Sequence, residues 1–255
     1  MINIGDTRVI LLDIEGTTTP IDFVYKTLFP YASDHVEEFL KQNHDRDDVR
    51  SDIKLLWDEH RIDQENGAEP PEWKVDSVSV RLEVVAEYVR WQMSRDRKST
   101  GLKSLQGKIW EAGYRSRKLQ GEVYPDVQPA FHRWKTQGKR ICIFSSGSVL
   151  AQKLLFETSA VGDLSVYVDG YFDTTVGSKL STESYYRIAS EVNEAPDDVL
   201  FISDVVTELD AARHAGMQTL LCIRPGRAEP ELVVHSVIPT FDEAFPGREN
   251  SQDTR

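Results

Sequence analysis

Apolar residues fall along this chain in two regimes. Four short runs, at 8–13 (RVILLD), 140–145 (RICIFS), 198–204 (DVLFISD) and 218–223 (QTLLCI), place apolar side chains at consecutive positions. A strand covered on both faces needs apolar groups on both, so unbroken runs of this length predict buried parallel strands. The segments between them, 148–158, 181–193 and 208–215, suit helices, the last stopped by Gly216 as a C-cap. Strands alternating with helices predict an α/β class, a Rossmann-like, doubly wound parallel sheet.

From about residue 23 to 120 the long runs vanish and apolar residues recur three or four apart: Val36, Phe39 and Leu40; Ile53, Leu56 and Trp57; Leu82, Val85, Tyr88, Val89 and Met93; Leu105, Ile109 and Trp110. That is helical spacing. The chain therefore divides into an α/β core of residues 1–20 and 121–255 and an inserted helical cap of residues 21–120. Within the cap, 65–73 (ENGAEPPEW) reads as a loop, and 121–126 (GEVYPD) as a hinge back to the core. The RPGRAEP stretch from position 224 reads as a surface turn, and the polar tail beyond Pro246 as mobile.

Composition narrows the function. The 255 residues are 40% hydrophobic and 28% charged, which is ordinary for a globular protein with a sizeable core. Acidic residues outnumber basic ones 42 to 30, and a net charge of −12 repels polyanions, so nucleic acid is not an expected partner. A small phosphorylated ligand is compatible, because local donors outweigh a distant field at short range. The two cysteines, Cys142 and Cys222, lie inside strand runs and suggest inert thiols in a reducing compartment. With no signal-like start and no apolar stretch of the roughly 20 residues a membrane span needs, the expectation is a cytoplasmic protein without membrane contact. The six histidines show no metal-ligand pairing, and zinc chemistry is not expected.

Ligands of open parallel sheets sit beyond the carboxyl ends of the strands. Asp13, Ser145 and Asp204 each stand at such an end. In Asp13-Ile-Glu15-Gly16-Thr17-Thr18, Asp13 is a candidate nucleophile for phosphorus, and Glu15 a candidate acid–base group for the leaving alcohol and then for water. An acidic turn after a strand is the plainer alternative. The serines of Ser145-Ser146-Gly147-Ser148 offer hydroxyl and backbone donors to a phosphate, although Ser148 also suits a helix N-cap. Lys179 can neutralise the nucleophile and the transferring group, where a solvated surface lysine is the default. Asp13, Asp204 and one backbone carbonyl match the oxygen preference of Mg2+. Glu208 can orient a metal-bound water or pair with Lys179, while Glu208 and Asp210 equally serve as acidic residues of a helix's first turn.

Together these elements resemble the haloacid dehalogenase superfamily in order, spacing and strand context. The run 11–21 (LLDIEGTTTPI), with 143–148 (IFSSGS), 169–173 (DGYFD) and Ser203-Asp204, is similar within it to the enolase-phosphatase (acireductone synthase) family. Most phosphatases of the superfamily carry Asp-x-Asp where this chain has Asp-x-Glu, a departure that the enolase-phosphatases share. The resemblance implies a Mg2+-dependent bifunctional enzyme of methionine salvage, normally a monomer, acting on 2,3-diketo-5-methylthiopentyl-1-phosphate. It would enolise that substrate and then remove its phosphate to give the acireductone. It implies further that Asp13, Glu15 and Asp204 bind the metal, Glu15 through its main-chain oxygen, that Ser145, Ser146 and Lys179 contact substrate, and that the cap closes over the site. A general sugar-phosphate phosphatase on the same fold is the alternative.

Overall fold

The structure, a computed structural model, describes residues 6–73, 78–97, 99–228 and 234–246; the tail expected beyond Pro246 lies outside them. The chain forms two compact units, Met1–Ile21 with Gly121–Arg255, and Asp22–Gln120.

Among the described residues the first unit holds one six-stranded sheet in the order β3-β2-β1-β4-β5-β6. The strands are β1 Val9–Leu12, β2 Arg140–Phe144, β3 Gly170–Phe172, β4 Val199–Ser203, β5 Gln218–Cys222 and β6 Ser236–Ile238. Every pairing is parallel. All four residues of β1 are fully buried, as an unbroken apolar run in mid-sheet requires. Alternation along the strands divides the core. Val9, Leu11, Cys142, Phe144, Val199 and Phe201 join a cluster with Tyr185 and Ile188 of the helix Thr182–Glu191 and Leu209 of the helix Val206–His214. Ile10, Leu12, Ile143 and Ile202 alternate with them and are equally buried. The helix Val127–Thr136, with Phe131 and Trp134 fully buried, packs against β2. Truncating one such side chain, as in Leu11→Ala, costs about 2–5 kcal/mol through lost burial and the cavity left behind.

The runs at 8–13, 140–145, 198–204 and 218–223 contain β1, β2, β4 and β5. The edge strands β3 and β6 are three residues each and only partly covered, so they lack a long apolar signature. Gly216 ends the helix Val206–His214 with φ +86°, a conformation that favours glycine.

In the second unit, among the described residues, four long helices run Phe29–Asn43, Asp47–Glu65, Val78–Ser94 and Thr100–Arg115. Their core gathers Val36, Leu40, Leu56, Val85, Tyr88, Val89, Leu105 and Ile109. The spacing misassigns one face. In Asp47–Glu65 the buried positions are Val49, Asp52, Leu56, His60 and Asp63, while Trp57 is 37% exposed. Polar groups can line that stripe because they are paired. Tyr88 donates to Asp63 at 2.7 Å, Arg97 also pairs with Asp63, and Lys108 pairs with Asp52.

Candidate active site

The strand order reverses direction beside β1: the chain runs outward through β2 and β3, then returns to place β4 on the other side of β1. This switch point sets the ends of β1 and β4 next to each other. Leu12 lies opposite Ile143 of β2 and Ile202 of β4, so Asp13, Ser145 and Asp204 follow at one rim of the sheet. The Asp13 amide still donates to the Ile202 carbonyl at 3.0 Å, so the strand register extends to the nucleophile candidate.

After Asp13 the backbone folds tightly. The Ile14 carbonyl accepts amides from Thr17, Thr18 and Thr19 at 2.9–3.2 Å, and Gly16 sits at φ +77°. A Cβ on Gly16 would fall 2.2 Å from Asp204 Oδ2, so position 16 needs glycine both for its backbone angle and for room beside the carboxylate. Thr17 links the two strand ends. Its hydroxyl donates to Asp13 Oδ2 at 3.4 Å and accepts the Asp204 amide at 3.0 Å. Glu15 is partly exposed in this turn and bridges to Thr19 through the backbone.

Lys179 is not a solvated surface residue. Its ammonium lies 2.5 Å from Asp13 Oδ1 and 2.7 Å from Glu208 Oε2. Burial alone would lower its pKa, but the charges of Asp13 and Glu208 outweigh burial and raise it, so the amine stays protonated. The Lys179 carbonyl accepts from Tyr185 Oη at 2.7 Å, which anchors the loop to the core. Glu208 also accepts from Ser203 Oγ at 3.1 Å. Glu208 thus pairs with Lys179, one of the two roles open to it. Asp210 belongs elsewhere, since it pairs with His235 at 3.2 Å and Arg213 at 3.5 Å.

Ser145 is buried and Ser146 exposed. The Ser145 amide donates to the Phe172 carbonyl at 3.2 Å, and its Oγ accepts the Gly147 amide at 3.2 Å. Gln152 holds this loop by donating to the Gly147 and Phe172 carbonyls. Ser148 is indeed the N-cap of the helix Val149–Glu157 and accepts the Ala151 amide at 3.3 Å.

The electrostatics ask for a cation. Burial, then the charge of Asp13, raises Asp204 to about 6 and Glu208 to about 7, well above ordinary carboxylates. Arg227 reaches Asp204 Oδ2 at 2.8 Å, yet Asp204 Oδ1 is buried with no hydrogen-bond partner. A buried, orphaned carboxylate oxygen beside a second carboxylate suits a hard, oxygen-seeking ion. Among the described residues no three acidic, histidine or cysteine side chains gather closely enough to cage an ion by themselves. What the rim offers is the pair Asp13 and Asp204 plus backbone carbonyls, and that donor set fits an ion that keeps several waters, as Mg2+ does.

Arg224 and Thr17 escaped the sequence reading. The former opens what looks like a surface turn, and only its neighbours 225–228 are exposed; Arg224 itself is 2% exposed. Both cysteines are free and buried, and burial pushes each thiol up to about 12. Among the described residues no helix is long and apolar enough to cross a membrane.

Comparison with known proteins agrees with this architecture. Residues 7–216 match the model of the haloacid dehalogenase-like hydrolases. The chain is 50% identical over 234 residues to "Enolase-phosphatase E1" of Synechococcus elongatus, covering 92% of this chain and 96% of that protein. It is 43% identical over 246 residues to the protein of the same name from Danio rerio, covering 93% and 94%. Among solved structures, the UTR4 protein of Saccharomyces cerevisiae superposes with a TM-score of 0.72 at 34% identity, over 93% of this chain and 99% of that one. A dehalogenase at 15% identity and TM-score 0.53 shares the fold alone. With the family model spanning most of its length and relatives this similar from bacteria and animals, the chain belongs to the haloacid dehalogenase-like hydrolases and, within them, to the enolase-phosphatase E1 family.

Proposed function

We propose that this chain is a Mg2+-dependent enolase-phosphatase that converts 2,3-diketo-5-methylthiopentyl-1-phosphate to its enol, and then by phosphate hydrolysis to the acireductone 1,2-dihydroxy-3-keto-5-methylthiopentene. The observation that carries this reading is the meeting of Asp13 and Asp204 at the ends of adjacent parallel strands, with the Lys179 ammonium 2.5 Å from Asp13.

Asp13 is the nucleophile in this reading. Its carboxylate attacks phosphorus, the bond from phosphorus to the substrate oxygen breaks, and an aspartyl phosphate forms. Glu15 donates the proton that the departing oxygen needs. It then takes a proton from the water that attacks the aspartyl phosphate, releasing inorganic phosphate and restoring Asp13. Lys179 keeps the anionic nucleophile approachable by an anionic phosphate and stabilises charge on the transferring group. Ser145, Ser146 and the amides beyond β2 offer donors to phosphoryl oxygens. Asp13, Asp204 and the main-chain oxygen of Glu15 would hold the ion. Mg2+ bound there would supply positive charge to phosphoryl oxygens and to substrate oxygens that gain negative charge.

The test is an ultraviolet scan of the purified chain mixed with the diketo phosphate and Mg2+. The expected result is a rising enol absorbance accompanied by inorganic phosphate, and in Asp13→Asn no phosphate from a folded protein. Phosphate release from many sugar phosphates, without enol absorbance from the diketone, would overturn this reading in favour of a general phosphatase.

A further inference from the structure

The chemistry above gives no role to Arg224, yet few side chains in the core are so fully engaged. Its Nε and Nη2 donate to the Thr17 carbonyl at 3.0 and 2.5 Å. Nη1 pairs with Asp126 Oδ2 at 2.6 Å, and that same oxygen accepts the Phe241 amide at 2.6 Å. The guanidinium also lies against the rings of Tyr124 and Phe241, 4.2 and 4.6 Å from their centroids. The Tyr124 amide in turn donates to the Thr18 carbonyl at 3.0 Å.

The grip falls on the residue that joins the two carboxylates. Thr17 presents its hydroxyl to Asp13 Oδ2 and to the Asp204 amide, while its carbonyl is held from behind by two guanidinium donors. We propose that Arg224 is a positioning residue: through the Thr17 carbonyl it fixes the hydroxyl that sets Asp13 and Asp204 at their working separation. The inference rests on the proposed function for its kinetic part and for the Mg2+ site at Asp13 and Asp204. An arginine is required because its planar fork can serve one carbonyl twice and a carboxylate once, whereas a lysine presents a single point charge. Asp126 neutralises the guanidinium and the two rings fix its plane.

The test uses the full chain carrying Arg224→Lys, which keeps a cation for Asp126, and the double variant Arg224→Met with Asp126→Asn, which removes both charges. Neither leaves a lone buried charge, so both are expected to fold, as judged by circular dichroism. For Arg224→Lys, kcat on the diketo phosphate should fall on the order of 10–100-fold, because small misplacements of reacting groups are that severe. KM should stay within about threefold, since substrate contacts are untouched. Calorimetric titration with Mg2+ alone should show binding about 10-fold weaker in both variants. A folded Arg224→Lys with wild-type kcat, or either variant with wild-type Mg2+ affinity, overturns the positioning role. Wild-type turnover on the diketo phosphate tests the function separately. Wild-type protein that binds Mg2+ without turnover would sink the proposed function alone, and variants with wild-type Mg2+ affinity would sink the positioning role alone, so the two failures are distinguishable.

Discussion

Replacing Lys179 with methionine removes a charge while keeping most of the apolar stem. In the native site the ammonium lies 2.5 Å from Asp13 and 2.7 Å from Glu208, with 10% of the lysine side chain exposed. At an effective dielectric of about 20, each contact carries about 6–7 kcal/mol of Coulomb attraction, much of which offsets the desolvation of the charges. Losing the cation strands two buried carboxylates, and breaking such a pair costs about 3–5 kcal/mol. In a chain of this size that is a fall of about 6–20 °C in Tm. The penalty depends on pH. In the native protein Glu208 stands at about 7, raised by burial and by Asp13, and Asp204 at about 6 for the same reasons. Without Lys179 the Glu208 value rises further, so at pH 5 its carboxyl is protonated and needs no cation, while at pH 8 the whole penalty is felt. Lys179 itself is held above the ordinary lysine range and stays charged across this window. Urea titrations of chelated wild type and Lys179→Met should therefore diverge more at pH 8 than at pH 5, and kcat should drop about 100–1,000-fold. A variant as stable as wild type at pH 8, or one with the same deficit at both pH values, would refute this account of the site.

Gly16→Ala brings a Cβ to 2.2 Å from Asp204 Oδ2 at φ +77°. It should destabilise the fold by about 1–3 kcal/mol in denaturant titrations and weaken Mg2+ binding measured by calorimetry, with wild-type values for both speaking against the crowding. The raised carboxyls of Asp204 and Glu208 hold protons that the unfolded chain has released. Metal-free stability should thus fall as pH climbs from about 4.5 to about 7, and Mg2+ should raise Tm more at pH 8 than at pH 5 in a thermal-shift series. Cys142 and Cys222, with thiols pushed up to about 12, should resist alkylation at pH 8 until the protein is denatured; prompt labelling of the native protein would contradict their burial.

The central strands were legible because a strand covered on both faces has no choice but to be apolar throughout. The carboxylates were legible because each ends such a run. Short edges escaped for the opposite reason: Gly170-Tyr171-Phe172 and Ser236-Val237-Ile238 are partly covered, and their composition is that of any loop. The helical spacing located Leu56, Val85 and Ile109 correctly but set Trp57 inside and gave no sign of the buried Asp52, because side-chain pairing across helices leaves no trace in a single helix's pattern. Arg224 was illegible for a related reason. Its partners Thr17, Asp126 and Phe241 are distant in sequence, and Arg-Pro-Gly is ordinary surface vocabulary until they are assembled around it.

The order of the strands separates what must stay still from what can drift. β1 is laced to neighbours along both sides, so the atom proposed to attack phosphorus hangs from an inner thread of the weave. Of the outermost strands, β6 brings no member of the Asp13, Lys179, Asp204 and Glu208 group, whereas β3 leads into the loop that carries Lys179. Lineages could rewrite that one hem of the fabric freely while its middle stitches stayed the same.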